Sequence, residues 1–345
     1  MTSPGQFDLL PSAATPVAAV SAGLVQLDRR ARGTEFLAVS ARSVLNSPAA
    51  THMPFWSLNP YVGCEFGCTY CYARDTHRYL VERMGAVETL PAWEAFERRI
   101  IVKPDVADVL ARTLHPTRLA GSPLVIGTAT DPYQPAERRF RLTRGVLEAL
   151  CQYRGLTLGL ITKSPLVTRD IDVLRRLSER HHLEVNISLA TLDSRLARRL
   201  ELRSPVPAAR MRALARLVRS GIRAGLLLAP IIPCVTDSRA SLDALFRAAR
   251  EAGALYVVGS ALRLGPAARH RFLPHLAQEF PELAQRYARH YGGRVSVSRD
   301  YEDALARRLR ALRRKYGLSP EERFRPLLDP DQSPDAQGQL FDGRS

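Results

Sequence analysis

From residue 99 onward the chain alternates between short apolar, β-branched runs and amphipathic stretches. The apolar runs cover 99–103, 124–130, 156–162, 183–189, 224–232 and 255–262. Between them, apolar residues recur at helical spacing over 106–114, 142–153, 167–180, 208–220 and 242–252. Nearly continuous apolar strands separated by amphipathic helices predict a parallel sheet covered by helices. Six units are too many for a small motif and too few for a complete eight-stranded barrel. The pattern therefore predicts an α/β fold, a partial (β/α)6 TIM-like barrel, with an open doubly wound sheet as the alternative.

The flanks read differently. Residues 1–30 carry Pro4, Pro11 and Pro16 among Ser and Thr with little periodicity, which predicts a mobile arm. Residues 31–58 read as an N-terminal extension: a short strand at 35–40, a loop at 46–52, then Pro54-Phe55-Trp56 leading onward. The core is expected over 59–265, with a helix at 75–84 near its start. A C-terminal helical region follows over 266–328. It comprises a helix at 274–291 interrupted near Pro281, a short strand at 294–298 and a strongly basic helix at 301–316. Residues 329–345 are acidic and polar, the composition of a disordered tail. There is no apolar run of about 18 residues and no basic-then-apolar leader. A soluble, cytoplasmic protein with no membrane partner is the expectation.

With 345 residues, 46% of them hydrophobic, the chain can bury a large core. Its formal net charge of +16 invites a nucleic-acid partner, because clustered cations release counterions from a phosphate backbone. Only Lys103, Lys163 and Lys315 are lysines, however, so the excess is almost all arginine. Much of that arginine falls where helices would be solvated, so the charge has a compositional reading beside the functional one.

The chemistry concentrates in Asn59-Pro60-Tyr61-Val62-Gly63-Cys64-Glu65-Phe66-Gly67-Cys68-Thr69-Tyr70-Cys71-Tyr72-Ala73-Arg74. Three of the five cysteines fall here, spaced C-x3-C-x2-C. Clustered thiols without an export signal point to metal rather than disulfides. Three thiolates on one loop can hold three corners of a cubane iron–sulfur cluster and leave the fourth iron open. Zinc is the alternative, but a structural zinc wants a fourth ligand, and His77 is the only close candidate.

In βα folds ligands gather at the C-terminal ends of the strands. The second expected strand ends in Gly127-Thr128-Ala129-Thr130-Asp131-Pro132-Tyr133-Gln134-Pro135, the third in Thr162-Lys163-Ser164. The fourth carries Asn186, Ser188 and Thr191, and the fifth runs into Pro233-Cys234. Plainer readings stand beside these. Asp131 before Pro132 suits a turn or cap, Lys163 a surface, and Ser188 a backbone-bonded core position. Cys151 reads as a buried helix residue, while Cys234 follows a strand in a Pro-rich loop.

Cys64, Cys68 and Cys71, with Tyr70 before the last, resemble the C-x3-C-x-aromatic-C signature of the radical S-adenosylmethionine (SAM) superfamily. The lead-in Asn59-Pro60-Tyr61 and the stretch Thr130-Asp131-Pro132-Tyr133-Gln134-Pro135-Ala136-Glu137 resemble its spore photoproduct lyase and DNA repair photolyase-like subgroup. The resemblance implies a [4Fe–4S] cluster on Cys64, Cys68 and Cys71, with SAM chelated to the open iron. It also implies reductive cleavage of SAM to a 5′-deoxyadenosyl radical that abstracts hydrogen. By the same resemblance Tyr70 would contact the adenine and Tyr72 would line the site. Thr128, Thr130 and Asp131 would stand by the SAM amino group, Lys163 by its carboxylate, Ser188 by the ribose or carboxylate, and residues 226–231 along the adenine. An electron donor such as flavodoxin or ferredoxin and a DNA substrate follow as expected partners. One departure matters. The lyase returns hydrogen from a cysteine near the end of the second strand, where this chain has Thr128 and Thr130; Cys234 or Tyr133 would have to replace it.

In the tail, Gln337-Gly338-Gln339-Leu340-Phe341 resembles peptides that dock on the bacterial sliding clamp, a mode open to a mobile segment. Three hypotheses remain in play: a radical SAM enzyme for DNA lesion repair, one that modifies RNA, peptide or a small molecule, and a non-catalytic DNA-associated iron–sulfur or zinc protein anchored by the basic helix.

Overall fold

The computed structural model describes residues 25–29, 33–77, 90–119 and 121–318. Its first strands, β1 (Val25–Arg29) and β2 (Glu35–Ala38), pair antiparallel. β1 thus falls within the stretch expected to be an arm. Next, β3 (Leu45–Asn46) and β4 (Trp56–Leu58) pair antiparallel across a short helix, Pro48–Thr51, where an open loop was expected. β5 (Tyr61–Val62) follows, and then β6 (Arg99–Val102) pairs antiparallel with it and parallel with β2.

The larger sheet adds β7 (Leu124–Ile126), β8 (Thr157–Thr162), β9 (His182–Ser188), β10 (Ala224–Ile231) and β11 (Val257–Ala261). Its order is β3-β4-β7-β8-β9-β10-β11, and every pairing from β4 to β11 is parallel. Helices Val106–Thr113, Leu142–Leu150, Ile171–Ser178, Pro207–Arg219 and Arg239–Glu251 connect these strands. The result is a mixed α/β fold built on a six-stranded parallel sheet.

One strand of the expected six is misplaced. The run at 99–103 forms β6 of the smaller sheet, held between β2 and β5. The first parallel strand is instead Trp56–Leu58, in the segment expected to be a lead-in. An apolar run buried on both faces has the same local pattern in either sheet, so only long-range pairing distinguishes them.

The parallel strands bury Leu58, Ile126, Leu160, Val185 and Leu228 against helix residues such as Leu147, Leu177, Leu217 and Phe246. Full burial of each contributes about 1.5–3 kcal/mol. A second cluster is separate. Cys64, Phe66, Cys68 and Tyr70 pack with Leu200, Leu264, Phe272, Leu276 and Tyr287, so helices Pro266–Glu279 and Pro281–Tyr291 close over the cysteine loop. The first of these begins eight residues earlier than expected, with Pro274 inside it.

The strand expected at 294–298 does not form; Val295 contributes one carbonyl to the Leu264 amide, 2.8 Å away. The last helix, Arg299–Tyr316, is capped by Ser298 and ends at Gly317 in the left-handed region. Leu305 and Leu309 face the core, and Arg313 Nε donates to Val257 O at the start of β11.

Residues 74–77 are helical, and the remainder of the helix expected at 75–84 lies outside the described residues. So do 1–24 and the tail with Gln337–Phe341. Among the described residues no helix is long and apolar enough to cross a membrane.

Candidate active site

The C-terminal ends of the parallel strands open onto one cavity, and the cysteine loop forms part of its wall. Cys64, Cys68, Cys71, Tyr70, Tyr72, Thr128, Thr130, Asp131, Lys163 and Ser188 all line it. Residues drawn from four separate stretches of sequence are thus brought together.

The loop is fixed from several sides. Gly63 turns at φ +84°, where a Cβ would lie 2.8 Å from the Phe96 carbonyl oxygen, so the turn needs glycine. The Cys64 amide donates to that carbonyl (2.8 Å), and the Thr69 amide to Leu200 O (3.0 Å). Fully buried Arg74 donates to Cys68 O and to Glu97, both at 2.6 Å. The segment after β7 supplies the rest. Gln134 Oε1 accepts from the Glu65 amide (3.0 Å), and its Nε2 donates to Gly63 O (3.2 Å). Thr130 Oγ1 also donates to Gly63 O, and Asn59 accepts from the Ala129 amide at 2.9 Å.

Asp131 acts as a brace. Its carboxylate accepts from the Tyr133 amide (2.9 Å), Thr162 Oγ1 (2.6 Å) and the Lys163 amide (2.7 Å), tying the tips of β7 and β8 together. Burial raises its pKa, against the pull of these donors. Asp131 therefore serves the turn, as its place before Pro132 suggests, and also lines the cavity.

Lys163, its backbone so fixed, presents Nζ 5.9 Å from the Tyr70 ring centroid. Among the described residues that ammonium has no hydrogen-bond acceptor. Burial works against its charge, but neighbouring Cys68 and Glu201 outweigh burial and raise its pKa. Ser188 makes only a long contact, 3.5 Å, to Ala229 O. Tyr72 donates to Thr128 O and is partly exposed.

Tyr70 leads to residues that sequence reasoning missed. Its hydroxyl donates to Glu201, whose other oxygen pairs with Arg210. Arg210 in turn donates to Ser188 O (3.1 Å) and Pro205 O (2.8 Å). Ser204 Oγ lies 3.5 Å from Cys68 Sγ. Glu201 and Arg210 are both buried, a combination that requires pairing. No local pattern marks either one. Gln134 lies in the segment that follows β7, and no local pattern there signals its contact with Glu65.

Several residues named as alternatives stand apart from the cavity. His77 does not line the cavity; it is buried with Nε2 3.2 Å from Arg99 O. Among the described residues no three His, Cys, Asp or Glu side chains converge on one point as ligands of a single ion do. Cysteines that bind separate irons of a cubane need no common point. Cys234 is exposed and Tyr133 is bonded to Asp170, and neither lines the cavity. Asn186 accepts from the Tyr256 hydroxyl (3.0 Å) and does not line the cavity.

The donor set fits the implied groups. Burial raises all three motif thiols, Cys68 to about 11, so they would give up their protons on ligating iron rather than before it. The unpartnered Lys163 ammonium suits a carboxylate.

Residues 58–245 match the Radical SAM superfamily model. Uncharacterized proteins of Mycobacterium tuberculosis and Mycobacterium bovis are 34% identical over 296 residues, 85% of this chain and 84% of theirs. An uncharacterized protein of Methanocaldococcus jannaschii is 27% identical over 59% of this chain and 70% of its own. Among solved structures, spore photoproduct lyase complexed with dinucleoside spore photoproduct superposes with a TM-score of 0.57 at 15% identity, covering 81% of this chain and 79% of that one. That last likeness is one of fold. The superfamily match spans more than half of the chain and contains the cysteine loop, so the chain belongs to the radical SAM superfamily, enzymes that work with a [4Fe–4S] cluster and S-adenosylmethionine.

Proposed function

We propose that this cavity binds the cluster on Cys64, Cys68 and Cys71 and holds SAM against Lys163, and that the reaction is hydrogen abstraction in the repair of a DNA lesion. The observation that carries the reading of the site is the shared wall. Three motif thiols and an unpartnered ammonium from the next strand tip but one face the same space. When bound, the cluster and SAM would supply a 5′-deoxyadenosyl radical by reductive cleavage.

The chain's own residues would bind, orient and exclude water. Lys163 and Ser188 take the carboxylate end of SAM, an anion that a half-buried ammonium can pair with. Thr128 and Tyr72 border the amino end, while Asp131 and Thr130 act mainly by holding the strand tip and the loop. The cavity-lining stretch Leu227, Ala229 and Pro230 offers apolar surface for the adenine beside Tyr70. In this reading the parallel sheet is a partial (β/α)6 barrel, with substrate entering past Met53, Phe55, Ser260 and Arg263.

The DNA reading is supported by the fold shared with spore photoproduct lyase and by the net charge of +16. Among the described residues, the cavity holds no thiol beyond the motif three, so the return of hydrogen would differ from the lyase's. The basic helix is less helpful than its composition suggests. Glu302, at its start, interacts with Arg263 at the cavity wall, whereas Arg313 meets the far end of β11. Its basic end therefore points away from the cavity.

The test is anaerobic reconstitution with iron and sulfide, followed by reduction with SAM in the presence of UV-irradiated or undamaged DNA. 5′-Deoxyadenosine formation stimulated by irradiated DNA, with a changed base product, supports repair. Cleavage of SAM indifferent to both DNAs would reject the DNA substrate and leave the modification of RNA, peptide or a small molecule.

A further inference from the structure

The cysteine loop has a second side. Away from the cavity it is covered by the segment from Ser194 to Arg203, and the two are joined residue by residue. Thr69 bonds Leu200 O, Cys68 bridges Glu201, and the Arg203 amide donates to Phe66 O at 3.0 Å. Arg203 Nε donates to Glu65 O (2.6 Å), and its guanidinium lies against Gly67, next in sequence to Cys68.

That cover is strongly cationic. On helix Ser194–Leu200, Ala197 and Leu200 face inward, which turns Arg195, Arg198 and Arg199 outward. Arg203 is 44% exposed. Arg74, Arg203 and Arg271 all converge on the single carboxylate of Glu97, and Arg271 Nε is buried without a hydrogen-bond partner among the described residues. Five of these guanidinium groups reach the surface, with Arg74 buried beneath them. The neighbouring carboxylates are those of Asp193, Glu97, Glu201 and Glu279, of which Asp193 is engaged as a helix cap, Glu201 with Arg210 and Glu279 with Arg199. Glu65 turns inward, accepting from the Ala136 amide at 2.7 Å.

We propose that this arginine-rich cover is the docking face for an acidic one-electron carrier protein. The inference rests on the radical SAM reading of the cavity, whose cluster must be reduced from outside. The carrier, a flavoprotein or small iron–sulfur protein, loses one electron and the cluster gains it, with no bond made or broken. The face suits that task because it lies directly against the backbone of the ligand loop, joined to Cys68 through Glu201 and to Phe66 through Arg203. None of its arginines lines the cavity, so a bound carrier leaves the substrate entrance open. Excess positive charge steers an acidic partner to the spot, an effect that weakens with salt.

The experiment measures binding of an acidic flavodoxin to the cluster-loaded protein at low and physiological ionic strength. It compares the R195E/R198E variant with R310E/R314E, a reversal on the exposed face of the C-terminal helix. The proposal expects R195E/R198E to weaken binding on the order of tenfold at low salt and to flatten the salt dependence. R310E/R314E should bind as the unsubstituted protein does. Flavodoxin-driven SAM cleavage should fall with binding, while dithionite-driven cleavage should not change. Equal binding by R195E/R198E, or equal losses in both variants, overturns the proposal. So does a short DNA duplex whose affinity falls in R195E/R198E while that of flavodoxin does not. Failure of dithionite-driven cleavage in the unsubstituted protein would instead contradict the function proposed for the cavity.

Discussion

The hydroxyl of Tyr70 donates to Glu201, 131 positions further along the chain, and both groups are buried. Through Arg210 this bond extends to the carbonyl of Ser188, so the aromatic residue of the cysteine motif and the tip of β9 share one ion pair. Burial opposes the charge of Glu201, but Arg210 and Lys163 outweigh it and keep its pKa low. Removing one partner leaves the other buried and unpaired. Arg210→Met should therefore cost about 3–5 kcal/mol, and adding Glu201→Gln should restore part of that loss. Denaturant unfolding of the single and double variants measures it; additive losses would show that the pair does not act as a unit.

Lys163→Met tests the carboxylate contact. The variant should assemble the cluster with an unchanged absorption spectrum. It should bind SAM about 10- to 100-fold more weakly, the value of one charge-assisted bond. Equilibrium binding of SAM reads this directly. An unchanged affinity would remove Lys163 from the SAM site.

Gly127 closes β7 at φ +91°, and a Cβ there would lie 2.6 Å from the Ile161 carbonyl oxygen. Gly155 has φ +72° but open space around it. Gly127→Ala should destabilise by ~2 kcal/mol or more, and Gly155→Ala by only ~1 kcal/mol. Equal losses in thermal or denaturant unfolding would mean that the close approach of β8 is not a constraint.

Burial holds the His77 imidazole at about 4, against about 6.5 in an unfolded chain. Between those values the unfolded state binds more protons, so stability is present above pH ~6.5 and is lost as pH falls toward ~4. This residue alone accounts for up to ~3 kcal/mol of that loss. Urea unfolding of the loaded protein across this window should show the fall, and His77→Gln should flatten it. The same slope in both proteins would place the titration elsewhere.

What could be read from the sequence was local. Cys64, Cys68 and Cys71 lie on one loop, and strand tips such as Thr128–Asp131 and Lys163 are marked by the end of an apolar run. Five of the six parallel strands were legible for the same reason. β4 was not, because three residues between a proline-rich turn and a motif carry too little pattern. The run at 99–103 misled because burial on both faces looks alike in either sheet. Glu201, Arg210 and the contact of Gln134 with Glu65 depend on partners 9 to 131 positions away, and no periodicity encodes them. Asp131 was placed correctly, but its role as a brace between β7 and β8 needed the positions of Thr162 and the Lys163 amide.

The central claim is that three motif cysteines leave one iron open for SAM. Electron paramagnetic resonance of the reconstituted, reduced protein tests it most directly. The account predicts a [4Fe–4S] signal that changes shape when SAM is added, and that disappears in Cys68→Ala. A signal indifferent to SAM, or a colourless protein that takes up zinc in place of iron, would contradict it.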